Sequence, residues 1–129
     1  GDGLADIDIS SLVKFHEGHG RWATITAVKP PGRYGSLYCE DTVVKGFVEK
    51  PMGHDGLING GFFVLSPEVL KLIAGDLTSF EGGPLSTLAS LDQMRAYRHD
   101  GFWQPMDTLR DRNALHELWI NESAPWKVW

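Results

Sequence analysis

Cysteine, long apolar runs and excess positive charge are all scarce in this sequence, and each shortage excludes a class of protein. Cys39 is the only cysteine, so no intrachain disulfide and no paired-cysteine metal site can form. No stretch approaches the ~18 consecutive apolar residues of a membrane-spanning helix. The net charge of -5 argues against a nucleic-acid polymer as partner, because phosphate backbones are held by clustered lysine and arginine. We therefore expect small-molecule partners, no membrane association and a cytoplasmic location.

What is present is an ordinary globular composition. The 129 residues are 42% hydrophobic and 22% charged, which is enough for one hydrophobic core. The chain opens abruptly, with no methionine ahead of Gly1 and a helix-opening pattern already at residues 6–8. We therefore expect a single domain unit that is a portion of a longer protein.

Strands and helices are predicted to alternate along the chain. The pattern first predicts a helix that is capped by Asp6 or Asp8 and ends near Gly18 and Gly20. It then predicts, in order, a strand at 22–28, a hairpin of strands at 36–40 and 42–49, a strand at 60–65, helices at 66–74 and 85–91, a strand at 94–98, a short strand or loop at 101–106, and a helix after residue 108. This alternation indicates an α/β domain with a mixed sheet.

The C-terminal region is predicted to be amphipathic. Leu109, Leu115, Leu118 and Trp119 fall on one face of the last helix, and the tail at 124–129 is expected to pack its tryptophans. Fold class does not name a reaction, so a functional interpretation has to depend on particular residues.

Six short motifs carry the functional signal. They are GDG at 1–3, PGRYGSL at 31–37, FVEKP at 47–51, NGGFFVL at 59–65, GFWQPMDTLRD at 101–111 and PWKVW at 125–129. In order, spacing and wording they resemble the glucose-1-phosphate cytidylyltransferases, a branch of the sugar-1-phosphate nucleotidyltransferases. The resemblance covers nearly the whole chain, and the string FWQPMDTLRD is its most specific part.

The resemblance implies a partial Rossmann-like nucleotidyltransferase fold of the glycosyltransferase-A type. It also implies an Mg²⁺-dependent enzyme that transfers a cytidylyl group from CTP to glucose 1-phosphate, giving CDP-glucose and pyrophosphate. Residues 1–129 match a single C-terminal portion, because the Gly-rich N-terminal loop that cradles the triphosphate in this family is missing from them. We expect the isolated chain to be inactive, to bind a sugar 1-phosphate, and to bind nucleotide only with an N-terminal half.

The same resemblance implies that Asp2 and Asp107 are catalytic and bind the Mg²⁺ ion. A phosphate-to-phosphate attack brings two anions together, and a hard cation held by carboxylates offsets their repulsion. The alternatives are structural: an aspartate between glycines is often a turn residue, and an aspartate before threonine is often a helix cap.

Five further residues are implied in sugar-phosphate binding: Gly35, Glu49, Lys50, Asn59 and Gly60. Lysine suits a phosphate as a compact charge, an amide can donate and accept, and glycine lets a sugar ring approach the backbone. The alternatives are a plain turn at Gly35, an exposed charge pair at Glu49 and Lys50, and relief of crowding at Gly60 and Gly61.

Two other functions remain open from the sequence. The chain could be a non-catalytic binding module for a phosphorylated metabolite, or a structural remnant that only oligomerises. Thymidylyl and uridylyl transfer also remain open, because no base-reading residues can be identified. An unpaired sheet edge beside the strand at 60–65, together with the Trp-rich tail, predicts a homo-oligomer.

Overall fold

The computed structural model describes residues 2–30, 36–40, 42–48 and 56–129. Within them the elements are β1 (Gly3–Ala5), α1 (Ile9–His19), β2 (Ala23–Val28), β3 (Ser36–Glu40), β4 (Val43–Val48), β5 (Ile58–Leu65), a 3-10 helix (Pro67–Leu72), α2 (Gly83–Ser90), β6 (Met94–Arg98), β7 (Trp103–Pro105) and α3 (Leu109–Ile120). The alternation of strands and helices confirms the predicted α/β class. None of the helices within these ranges combines the length and the apolar character needed to cross a bilayer.

Five strands form a mixed sheet that closes on itself in the order β2-β5-β3-β4-β6. β2 and β6 run parallel, whereas the other neighbours are antiparallel, including the predicted hairpin of β3 and β4. The sequence predicted an unpaired sheet edge beside β5. In the structure one side of β5 pairs with β2 along its length, and the other side pairs with β3 through Ile58 and Ser36, so less of the edge is unpaired than predicted. β1 and β7 form a separate two-stranded ribbon.

β2 lies between β5 and β6, and all of its residues are buried. Its alternate residues belong to a core that also includes α2 and neighbouring strands; the members are Ala23, Ile25, Ala27, Val44, Leu57, Val69, Leu85, Leu88, Ala89, Met94 and Ala96. Thr24, on the other face of the strand, contacts α1 instead. A strand covered on both faces reads as a continuous apolar and β-branched run, which is why the sequence predicted it well.

The first helix is bounded by local signals that the sequence contains. Asp8 is the N-cap: its carboxylate accepts hydrogen bonds from the backbone N–H and the hydroxyl of Ser11, and these bonds lower the pKa of Asp8. The helix ends at Gly20, whose φ of 67° is the left-handed conformation that glycine adopts without strain.

A directional chain of hydrogen bonds joins α1 to β2 and to the end of β5. The backbone N–H of Arg21 donates to His19 Nδ1 (2.9 Å), so the proton of neutral His19 is on Nε2 and is donated to Thr24 Oγ1 (2.6 Å). The Thr24 hydroxyl then donates to His16 Nδ1 (2.8 Å), and His16 Nε2 donates to Ser66 Oγ (3.0 Å). Both histidines are therefore fully hydrogen-bonded when they are neutral.

The pKa values of both histidines follow from this enclosure. Burial lowers the pKa of His16, and a smaller opposing effect comes from Glu17. Burial is also the main reason that the pKa of His19 falls to about 4, with further lowering from His16 and from the charges of Arg95 and Arg21. The network thus favours the neutral forms of His16 and His19.

Two predicted helices differ from the structure in type or extent. The segment predicted as a helix at 66–74 is a 3-10 helix over Pro67–Leu72. Its N-cap residue, Ser66, forms no side-chain capping bond, because the Ser66 hydroxyl is engaged by His16. α2 begins at Gly83, ahead of the predicted start, with Pro84 in its first turn.

The predicted apolar face of α3 is only partly buried. Leu115 is buried, but Leu109 is 71% exposed and Trp119 is 48% exposed. In the tail, the Trp126 ring packs against Phe102 at 5.7 Å between centroids, whereas Trp129 is 79% exposed. The prediction of packed tryptophans is therefore right for Trp126 and wrong for Trp129.

Candidate functional site

The β1–β7 ribbon brings the two predicted metal aspartates to the same end of one small element. In its antiparallel register Gly3 pairs with Pro105, and the Met106 N–H donates to the Asp2 carbonyl at 2.8 Å. Asp2 therefore lies opposite Met106, and Asp107 follows immediately. Both aspartates are exposed. Residues from opposite ends of the sequence are neighbours here because of backbone hydrogen bonds alone.

The start of α3 decides between two interpretations of Asp107. Thr108 is the N-cap: its hydroxyl accepts from Asp111 N at 3.1 Å, and the Asp111 carboxylate accepts from the Thr108 N–H and the Asp107 N–H at 3.2 Å each. This reciprocal capping box satisfies the first turn of the helix. Asp107 is therefore not the helix cap, and the capping interpretation of this residue is wrong.

The donor chemistry at this end of the ribbon fits a hard divalent cation. Two carboxylates supply the oxygen ligands that Mg²⁺ prefers, and Mg²⁺ is usually held by one or two protein carboxylates together with waters and phosphate oxygens. Across the described ranges, no group of three or more histidine, cysteine, aspartate or glutamate residues could hold a metal ion. A cation between Asp2 and Asp107 would thus keep several positions for phosphate.

The predicted sugar-binding segment forms a bulge in β5. Ile25 of β2 pairs with Phe63, but Ala27, two residues on, pairs with Asn59, so β5 contains two extra residues at this point. Gly61, within the bulge, has a φ of 90°, which glycine adopts without the strain that a side chain would cause. Bulges of this kind are frequent next to functional sites, where they redirect the strand.

Three side chains satisfy the backbone groups that the bulge removes from the sheet. The Gly61 N–H donates to Asn59 Oδ1 at 2.8 Å. The Thr26 hydroxyl donates to the Phe62 carbonyl at 2.9 Å, and the Trp103 indole N–H donates to the Gly60 carbonyl at 2.9 Å. The shape of the bulge is therefore fixed by specific hydrogen bonds rather than by the glycines alone.

The two adjacent glycines have different roles. A Cβ on Gly60 would lie 2.9 Å from Val28 Cγ1 and 3.2 Å from the Thr26 carbonyl, so packing within the sheet excludes a side chain there. A Cβ on Gly61 would meet no described atom within 4 Å. Relief of crowding thus explains the missing side chain at Gly60 but not at Gly61, where the surface of the bulge is open and exposed. The sugar-binding role predicted for Gly60 stays a prediction.

The ribbon and the bulge meet at Trp103. A Cβ on Gly3 would lie 3.1 Å from Trp103 Nε1 and 3.7 Å from the Gly60 carbonyl, so the absence of a side chain at Gly3 leaves room for the indole. A tryptophan near the end of a strand is more often a core residue than a ligand, so the sequence alone favours packing for Trp103. Its position four residues before the predicted metal aspartate, Asp107, was the only sequence signal of a further role.

The opposite end of the ribbon is held by a second polar cluster. The Asp6 N–H donates to the Phe102 carbonyl at 3.2 Å, and His99 Nε2 lies 2.9 Å from both this carbonyl and Asp6 Oδ1. The His99 N–H donates its hydrogen bond to the Phe102 carbonyl. The buried Asp6 Oδ1 therefore lies close to His99 but accepts no hydrogen bond from it. A Cβ on Gly101 would collide with Asp6, which makes glycine necessary at that position.

Three of the predicted sugar-phosphate residues, Gly35, Glu49 and Lys50, lie outside the described residues. Their described neighbours in sequence meet beside the bulge: Ser36 pairs with Val48 across the β3–β4 hairpin and with Ile58 of β5. Asn59 follows Ile58 directly. The roles predicted for these three residues stay predictions.

Comparison with known proteins identifies the family and the fold of the chain. The model of the nucleotidyl transferase family matches residues 1–103. Proteins named glucose-1-phosphate cytidylyltransferase in Salmonella typhi and Salmonella typhimurium are each 53% identical to the chain over all 129 residues. The chain spans about half the length of these relatives, 50% in each case. The crystal structure of HddC from Yersinia pseudotuberculosis superposes with a TM-score of 0.70 at 23% identity, covering 92% of this chain and 52% of that one. At this identity the likeness shows a shared fold alone.

Proposed function

The chain belongs to the nucleotidyl transferase family, and on that premise we propose that it supplies the metal-binding and sugar-phosphate-binding half of a glucose-1-phosphate cytidylyltransferase. The proposed reaction is transfer of a cytidylyl group from CTP to the phosphate of glucose 1-phosphate, which releases pyrophosphate and gives CDP-glucose. The observation that carries the proposal is the contact between the ribbon and the β5 bulge, where the Trp103 indole lies beside Gly3, the residue after Asp2, and donates to the Gly60 carbonyl. The identity of 53% along the entire chain favours cytidylyl over other nucleotidyl groups.

Asp2 and Asp107 are proposed to hold the Mg²⁺ ion. Their carboxylates suit this cation, and the helix cap is formed by Thr108 and Asp111 rather than by Asp107. When bound, the ion would neutralise charge on the phosphates that react. The protein's own contribution is to hold both carboxylates at one end of a short ribbon, so that the position of the charge is set before substrate arrives.

The sugar phosphate is proposed to lie against the bulge. Asn59 Oδ1 accepts from the Gly61 N–H, so the Asn59 amide nitrogen is the group that can donate to a sugar hydroxyl. Gly61 offers open backbone surface on which a ring can rest. From the sequence prediction, Lys50 would neutralise the phosphate and Glu49 would accept from sugar hydroxyls, while Gly35 would provide a backbone N–H.

Nucleotide binding is proposed to need a further part of the enzyme. The 129 residues contain no Gly-rich loop with the basic residues that cradle a triphosphate after a strand and before a helix. The isolated chain should therefore bind glucose 1-phosphate weakly and without turnover. A few hydrogen bonds of ~1 kcal/mol each, set against the cost of immobilising the ligand, give a dissociation constant in the millimolar range, ~4 kcal/mol.

An NMR titration with glucose 1-phosphate tests the sugar site. Shifts of the Asn59 to Phe62 amides at millimolar ligand are expected, and Lys50→Ala should weaken the phosphate ester more than it weakens free glucose. Shifts scattered over the surface, or none at all, would contradict the proposal and favour a structural remnant.

Paramagnetic broadening by Mn²⁺ tests the metal site separately. The amides of Gly3 and Met106 should broaden first, because they flank the two aspartates. Asp107→Asn should remove this effect, whereas the matched exposed control Asp76→Asn should leave it unchanged. Equal broadening in both variants would show that the cation binds elsewhere.

A further inference from the structure

The indole N–H of Trp103 makes a contact that packing alone does not require. Its donor atom lies 2.9 Å from the Gly60 carbonyl, which belongs to the bulge and is displaced from the regular β2–β5 ladder. Trp103 itself is on β7, where it pairs with Ala5 of β1. One hydrogen bond thus links the ribbon that ends in Asp2 and Asp107 to the strand segment that contains Asn59.

We propose that Trp103 is a positioning residue for the sugar phosphate. Its indole N–H fixes the Asn59–Phe62 bulge relative to the β1–β7 ribbon. The proposed sugar site at the bulge and the proposed metal site on the ribbon are therefore held at a fixed distance from each other. This inference rests on the proposed function, because a sugar phosphate at the bulge is part of both. It goes beyond that function by assigning a role to a residue that need not touch substrate or metal.

The local geometry favours this role over simple apolar packing. Gly3 lies beside the polar edge of the indole, where any larger residue would meet Nε1 at 3.1 Å. The Thr26 hydroxyl holds the same bulge at the Phe62 carbonyl, so two of its acceptors have dedicated side-chain donors. An aromatic ring without an N–H would fill much of the same space and leave the Gly60 carbonyl without this donor.

The substitution Trp103→Phe separates the hydrogen bond from the ring. Trp119→Phe is the matched control, since it alters an exposed tryptophan on α3. In the absence of ligand, Trp103→Phe should speed hydrogen exchange of the Gly61 amide by about tenfold, because the bulge loses one of its three fixed points. Exchange at β2 amides and the melting temperature should change little. An unchanged Gly61 exchange rate would overturn the inference.

The second readout is the dissociation constant for glucose 1-phosphate. Trp103→Phe should weaken binding roughly fivefold, the effect of one neutral hydrogen bond, while Mn²⁺ broadening at Gly3 and Met106 persists. Trp119→Phe should alter neither measurement. Equal binding by the unaltered chain and Trp103→Phe would overturn the positioning role alone.

The two possible failures are distinguishable. If the unaltered chain shows no shift with glucose 1-phosphate, the proposed function fails and the positioning role fails with it. If the variant instead melts at a clearly lower temperature and loses both ligands together, Trp103 is a structural residue and the inference is overturned while the proposed function stands.

Discussion

Acidification should destabilise this protein through the two histidines of α1, in a pH window that the structure defines. His19 has an ordinary pKa of 6.5 and a folded-state pKa of about 4. Between these values the unfolded chain has a protonated His19 and the folded chain a neutral one. Because the unfolded state binds more protons there, the free energy of unfolding falls as the pH drops from about 6.5 to about 4. Above that window the stabilisation is fully present.

The magnitude follows from the size of the pKa difference. One pKa unit corresponds to ~1.4 kcal/mol, so the lowering to about 4 gives at most about 3 kcal/mol for His19, less whatever solvent screening removes from a part-exposed ring. His16 should add to the loss, since its pKa is also lowered by burial. Burial is the main cause of the lowered pKa of His19. In addition, a proton on His19 Nδ1 would face the Arg21 N–H, which donates to that atom.

Urea unfolding followed by tryptophan fluorescence, repeated between pH 4.5 and 7.5, measures this effect. His19→Gln should lower stability at pH 7.5 and flatten the dependence on pH, because the titrating group is gone. His116→Gln removes an exposed histidine of α3 as the matched control and should keep the slope of the unaltered chain. If His19→Gln retains that slope, the enclosure of His19 is not its cause, and the reasoning is wrong.

Three further outcomes are expected. Thr24→Val should destabilise the chain by about 2 kcal/mol in urea unfolding at pH 7.5, since the buried hydroxyl bonds both histidines and its loss leaves one ring nitrogen of each without this partner; a cost near zero would mean that water replaces it. Pyrophosphate release from CTP, Mg²⁺ and glucose 1-phosphate should stay at background for the isolated chain, and turnover that disappears in Asp107→Ala would contradict this. Light scattering at micromolar concentration should show self-association, because Trp119 and Trp129 leave much apolar surface exposed near the C-terminus; a clean monomer would show that this surface does not associate.

The sequence predicted the elements whose signals are local. Asp8 and Gly20 bound α1 as their residue types indicate, and the β-branched run of β2 is a fully buried strand. The helix predicted at 66–74 exists as a shorter 3-10 helix, and its N-cap residue, Ser66, contacts a histidine fifty residues earlier, which no local pattern reveals.

The candidate site was predicted only in part, for a similar reason. Family resemblance pointed to Asp2 and Asp107, but their proximity depends on the β1–β7 register, which a one-dimensional pattern does not contain. The pair Gly60 and Gly61 is indistinguishable in the sequence. Only the three-dimensional surroundings separate the glycine that is crowded by Val28 from the one that is open at positive φ.

The ribbon has a consequence for how the molecule folds. Its two strands have three residues each and are about a hundred residues apart in sequence, so they close a loop that contains the entire five-stranded sheet. Closing so long a loop in a flexible chain costs on the order of 4 kcal/mol of entropy, which so few backbone hydrogen bonds do not offset. The ribbon must therefore assemble after the sheet has brought both ends together. Cation binding at the proposed Asp2 and Asp107 site would accordingly be a late marker of folding, acquired after the hydrophobic core and lost before it.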